Sequence, residues 1–297
     1  MDNVKLFPSF WMAILLIGAC VLGEAVLGMF AATATFLAGH LLGISSKTTH
    51  LLNSLLQAPI ILAVLGTVVL LHTLLAKPPL RRYLSLLPMT PRRVGAISVM
   101  VLGLAVLLSE ADNLTRWVLP MPEFLARFFE QLFASPSISF VLVVLVAPLT
   151  EELVFRGIIL RGLLSRHSTR TAVVLSALLF AGGHLNPYQF LSAFTLGLAA
   201  GWIFAATESL SLCMLLHGLN NFLAWFVACG FLGIEISGLT FTDYSEVALQ
   251  PWWLDLGGAV TASIGIYLFS KTIRKPCVEP VEPPPSNVKT EPEGKDS

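Results

Sequence analysis

Charge is scarce in this chain. Only 12% of its 297 residues are Asp, Glu, Lys or Arg, against about 25% in a typical soluble domain. Basic and acidic residues number 18 each, so there is no net charge, and nothing in the balance points to a nucleic-acid partner. Cysteine is also scarce. Cys20, Cys213 and Cys229 lie in apolar runs and Cys277 follows the last of them. No paired spacing exists, which argues against both a disulfide framework and a zinc knuckle. What the chain does have is apolar surface: 55% of residues are hydrophobic and the mean hydropathy is +0.79. This is the composition of an integral membrane protein. Its length counts spanning helices, each needing about 20 apolar residues.

Eight apolar segments can be read, at about 9–35, 54–76, 94–110, 139–163, 171–187, 189–207, 209–230 and 252–271. The expected fold is therefore all-α, a polytopic bundle of about eight spans. The first run is longer than the 7–15-residue core of a signal peptide and is read as a retained helix. Asn186-Pro187 stops one helix and restarts the next, so the fifth and sixth segments are expected to form a tight hairpin that need not cross fully on each leg. The Trp252-Trp253 pair suits an interfacial belt. Gly197 and Gly201 suit close helix packing. Residues 276–297 are rich in Pro, Glu and Lys and are expected to be disordered. The chain thus divides into N-terminal helices and loops (1–138), a helical core (139–230), a loop and last helix (231–275), and the tail (276–297).

Basic residues set the orientation. Lys77, Arg81, Arg82, Arg92 and Arg93 follow the second segment. Arg161, Arg166 and Arg170 follow the fourth, and Lys271, Arg274 and Lys275 follow the eighth. The loop after the third segment is mostly acidic (Glu110, Asp112, Glu123, Glu130, against Arg116 and Arg127). The loop after the seventh holds Asp243 and Glu246 and no base. Basic loops face the cytoplasm. Eight spans then put every basic loop and both termini on that side, with a bacterial inner membrane as the expected home.

Against this background one run stands out. Glu151, Glu152 and Arg156 sit inside a long apolar segment, where each charge at the bilayer centre costs roughly 2.5–3.5 kcal/mol on insertion scales. Glu152 and Arg156 are four residues apart, as are Phe180 and His184, and His217 and Asn221. Residues at that spacing share a helix face. Glu152 is the natural partner of Arg156, which leaves Glu151, about 100° round the helix, free to face another helix. At about 1.5 Å of rise per residue, Glu151, His184 and His217 lie roughly 18, 20 and 12 Å from the cytoplasmic ends of their spans. All three therefore occupy the middle zone of a core about 30 Å thick.

Two chemistries fit such a set. Glu151 can serve as general base on a water, with His184 beside it and with His217 and Asn221 stabilising an oxyanion. Alternatively, Glu151, His184 and His217 can ligate a divalent metal such as zinc that activates the water. Glu24, His40, His50, His72 and His167 have no comparable context and are read as structural or interfacial.

These residues carry a resemblance. Glu151-Glu152-x-x-x-Arg156, Phe180-Ala-Gly-Gly-His184 and His217-Gly-Leu-Asn-Asn221 resemble the three motifs of the CPBP (CAAX protease and bacteriocin-processing, or Abi) intramembrane protease family, over about 145–225. The resemblance implies a helical bundle with a conical cavity and endopeptidase activity on membrane-associated, possibly prenylated, CAAX-type substrates. It implies Glu151 as the base with His184 assisting, His217 and Asn221 at the oxyanion site, and Glu152 and Arg156 in support. The family's metal-dependent and metal-free mechanisms both stay open here. Glu208 departs from the pattern, standing where many members have Gly in a Thr-Gly-Ser turn. The rival expectations are a non-catalytic immunity or scaffold protein of the same family, and a transporter with a midplane ion pathway. No inverted repeat supports the transporter.

Overall fold

The computed structural model describes residues 8–76, 89–240 and 247–273. The expected disordered tail, Cys277, Lys77, Arg81, Arg82, Asp243, Glu246, Arg274 and Lys275 lie outside the described residues, as do the side chains of His50 and His72. The described residues form nine helices and no strand: α1 Phe10–Leu42, α2 Ser46–Ala76, α3 Pro91–Val118, α4 Glu123–Phe133, α5 Pro136–Leu164, α6 Thr169–Gly183, α7 Pro187–Thr207, α8 Leu210–Ala228 and α9 Trp252–Ser270. Seven of them are long and apolar enough to cross a membrane, and α6 is a shorter apolar helix. The chain is a multi-pass membrane protein, and all eight apolar segments are present as helices.

Two stretches differ from the sequence reading. The third segment does not end at 110. Helix α3 runs on to Val118, so Glu110, Asp112 and Arg116 are helical and not in a loop. Within it Arg116 is buried and pairs with Asp112 at 2.9 Å. A charged residue so placed reads as a loop residue by composition, yet i,i+4 pairing keeps it in the helix. The supposed loop beyond it holds α4, whose Phe124 and Phe128 are exposed while Ala126 is buried. Its apolar face is too short to register as a span.

Close packing rests on small residues. A side chain at Gly103 or Gly265 would run into the backbones of Ala262 and Met100, so α3 and α9 pack nearly backbone to backbone. In the α6–α7 hairpin, Gly197 leaves only 3.1 Å to Ala177 and Gly201 3.0 Å to Val173 for an added Cβ, the role expected of this pair. Trp252 and Trp253 are exposed at the start of α9, as a belt requires.

The hairpin turns as the sequence implies. Leu185 adopts a left-handed conformation (φ 50°), Asn186 caps α7 by accepting from the Tyr188 N–H at 3.1 Å, and Pro187 opens the helix. Helix α6 is the short leg, at 15 residues, and α7 is full length at 21.

At the other end of α7, Glu208 is the C-cap residue with φ 53°. The left-handed region costs a side chain roughly 1–2 kcal/mol, which gives glycine its advantage at this turn. The Glu208 carboxylate is 3.9 Å from Arg161, but at 78% exposure the pair contributes little. Glu208→Gly is expected to stabilise the protein by about 1 kcal/mol, read as a raised midpoint of thermal unfolding in lipid.

Candidate active site

The site begins with the backbone of α5. This helix is not regular: 140–146 and 153–160 are wound as π-helix, with the α-helical turn Ala147–Glu152 between them. Such bulges concentrate at functional sites. In the first π stretch each carbonyl looks five residues ahead, and for Val143 that residue is Pro148, which has no N–H. The freed carbonyl finds another donor, accepting from Asn221 Nδ2 on α8 at 2.9 Å. One of the two N–H groups of Asn221 is thus committed to backbone, which leaves the other for the cavity that Asn221 lines.

The central turn carries Glu151 and Glu152 in different directions. Glu152 is fully buried. Its Oε1 accepts from Arg156 Nη1 at 2.8 Å and from His217 Nδ1 at 2.8 Å. Arg156, also fully buried, donates through Nη2 to the Gly197 carbonyl at 3.1 Å and lies over the Phe180 ring at 4.7 Å. The expected Glu152–Arg156 pair therefore forms. It does more than neutralise charge, since the same carboxylate oxygen fixes His217 in the Nδ1–H tautomer.

With Nδ1 so held, Nε2 of His217 points the other way, to within 3.9 Å of Glu151 Oε2. That oxygen has no hydrogen-bond partner. Glu151 is 31% exposed, facing the cavity, whereas Glu152 is sealed.

His184 reaches the same cavity from the end of α6. Its Nδ1 donates to the Phe180 carbonyl at 2.9 Å, leaving Nε2 free. Phe180 is the shared wall. Its ring meets His184 and His217 edge-on, at centroid distances of 5.0 and 5.6 Å. The sequence marked Phe180 only as a motif position; its aromatic contacts make it the residue that spaces the two histidines.

The cavity measures about 430 Å³ and takes in Glu151, Phe180, His184, His217 and Asn221 together. All four residues expected to be catalytic thus line one space, and both supporting residues lie behind it. Glu24, read as structural or interfacial, does not line the cavity.

A divalent metal fits this arrangement poorly. Among the described residues no three His, Cys, Asp or Glu side chains come together as a metal-binding group. His184 does not join Glu151 and His217 in a three-ligand set.

No curated protein and no solved structure matches this chain. A family model, described as type II CAAX prenyl endopeptidase Rce1-like, matches residues 133–223. That stretch starts at the end of α4 and stops within α8, and it contains Glu151, Glu152, Arg156, Phe180, His184, His217 and Asn221. Over residues 133–223, which hold the buried cluster, the chain is similar to the type II CAAX prenyl endopeptidase Rce1-like family.

Proposed function

We propose that this protein is an intramembrane endopeptidase in which Glu151 activates water for attack on a peptide carbonyl. The observation that carries this is a pair of acceptors facing each other across 3.9 Å: the unpartnered oxygen of Glu151 and the Nε2 of a histidine held in one tautomer by Glu152. A buried polar atom without a partner needs an explanation, and a water molecule between two bases is the simplest one here. Glu151 takes the proton of that water as the oxygen attacks, and returns it to the departing amide nitrogen. Negative charge then develops on the former carbonyl oxygen. The uncommitted N–H of Asn221 is the donor available to it, while Nε2 of His217, an acceptor in this tautomer, orients the attacking water by accepting its other hydrogen. His184 offers its free Nε2 on the same cavity wall and assists proton movement.

The substrate is a membrane-associated protein or peptide. A panel of lipid-reconstituted assays with prenylated CAAX-type and unmodified peptides tests the reading. Hydrolysis is expected to survive exhaustive chelation and to fall sharply in His184→Ala. Equal rates in His184→Ala and wild type, or a loss on chelation that added zinc restores, would sink the assignment.

A further inference from the structure

The cavity has a direction. Its walls come from Ser109 and Asp112 near the end of α3, Met121 and Phe129 around α4, Ser192 near the start of α7, and Leu239 in the segment after α8. Each of these lies on the side of the Glu151 level where α3 and α8 finish and α5 and α7 begin. Leu239 is held there by neighbouring bonds: the Gly238 carbonyl accepts from Ser109 Oγ at 3.2 Å and from Asn113 Nδ2 at 2.6 Å, and Glu110 accepts from the Gln250 N–H at 3.0 Å.

The other end of the bundle carries the basic residues. Arg92 and Arg93 open α3, Arg161 closes α5, Arg166 and Arg170 flank the turn into α6, and Lys271 follows α9. The start of α1 is at this end as well, with Pro8 against Gly162. Among the described residues the cavity end has Lys47 and two arginines, both matched on their own helix, Arg116 with Asp112 and Arg127 with Glu123. Glu110, Glu130, Glu235 and Asp255 add further acid there. Basic ends stay in the cytoplasm.

We infer that the cavity opens to the non-cytoplasmic side, so that its substrate is an extracytoplasmic, membrane-proximal segment and not a cytosolic tail. The substrate part rests on the hydrolytic reading above; the sidedness does not. Helix α4, with Phe129 and Phe133 in the cavity wall and Phe124 and Phe128 outward, then lies at the mouth in the outer interface.

Labelling with a membrane-impermeant maleimide tests the sidedness without any turnover. Met121→Cys, Ser192→Cys and His167→Cys are placed one at a time in the full chain with Cys20, Cys229 and Cys277 replaced by Ser; Cys213 is buried and stays. In sealed right-side-out vesicles Met121→Cys and Ser192→Cys are expected to label and His167→Cys to be protected, with the pattern reversed in inside-out vesicles. In the unaltered chain, mass spectrometry is expected to find Cys229 labelled from outside. Labelling of the cavity probes from the cytoplasmic side, of His167→Cys from outside, or of neither cavity probe from outside overturns the inference.

Discussion

Glu151→Gln is expected to reduce peptide hydrolysis by about 10²–10⁴-fold, the range typical of a lost general base, while the thermal midpoint in lipid stays at the wild-type value. The two readouts separate because Glu151 and Glu152 have separate surroundings. Glu151 is 31% exposed to the cavity and its Oε2 has no partner to lose. Glutamine keeps the shape and removes the basicity. The expected loss lies in kcat more than in KM, since the base acts in the transition state. Activity of the glutamine variant within a few-fold of wild type would remove Glu151 from the mechanism.

Arg156→Leu is expected to be the reverse case, a collapse of stability. The guanidinium is fully buried among Glu152, the Gly197 carbonyl and the Phe180 ring. Removing one partner of a buried ion pair leaves the other charge uncompensated, at roughly 3–5 kcal/mol. The damage spreads to the site, because Glu152 also holds His217. Glu152→Leu with Arg156→Leu is expected to recover part of the loss in thermal unfolding, as no lone charge remains, yet to stay inactive with His217 unheld. A single Arg156→Leu variant as stable as wild type would refute the account.

Much of this could be read in the sequence, for physical reasons. Glu152 and Arg156 are legible because an i,i+4 pair is the local way to place two charges in lipid. His184, His217 and Asn221 are legible because polar groups at mid-span depth turn inward. What was hidden depends on contacts between helices. That one oxygen of Glu152 serves both Arg156 and His217 is a fact about α5 against α8. Pro148 explains locally why the Val143 carbonyl lacks a helical donor, but that Asn221 supplies one needs the fold. Helix α4 was missed because eleven residues with scattered charges look like a loop until their apolar side meets the cavity.

The short leg α6 has a consequence for the surrounding lipid. Fifteen residues rise only about 22 Å, less than the roughly 30 Å of hydrocarbon in an average bilayer. The left-handed turn at Leu185, 75% exposed, therefore falls where acyl chains would otherwise close over it. Lipid beside this face is expected to thin to meet it, which would bring the polar turn next to His184 closer to water than its place along the chain suggests.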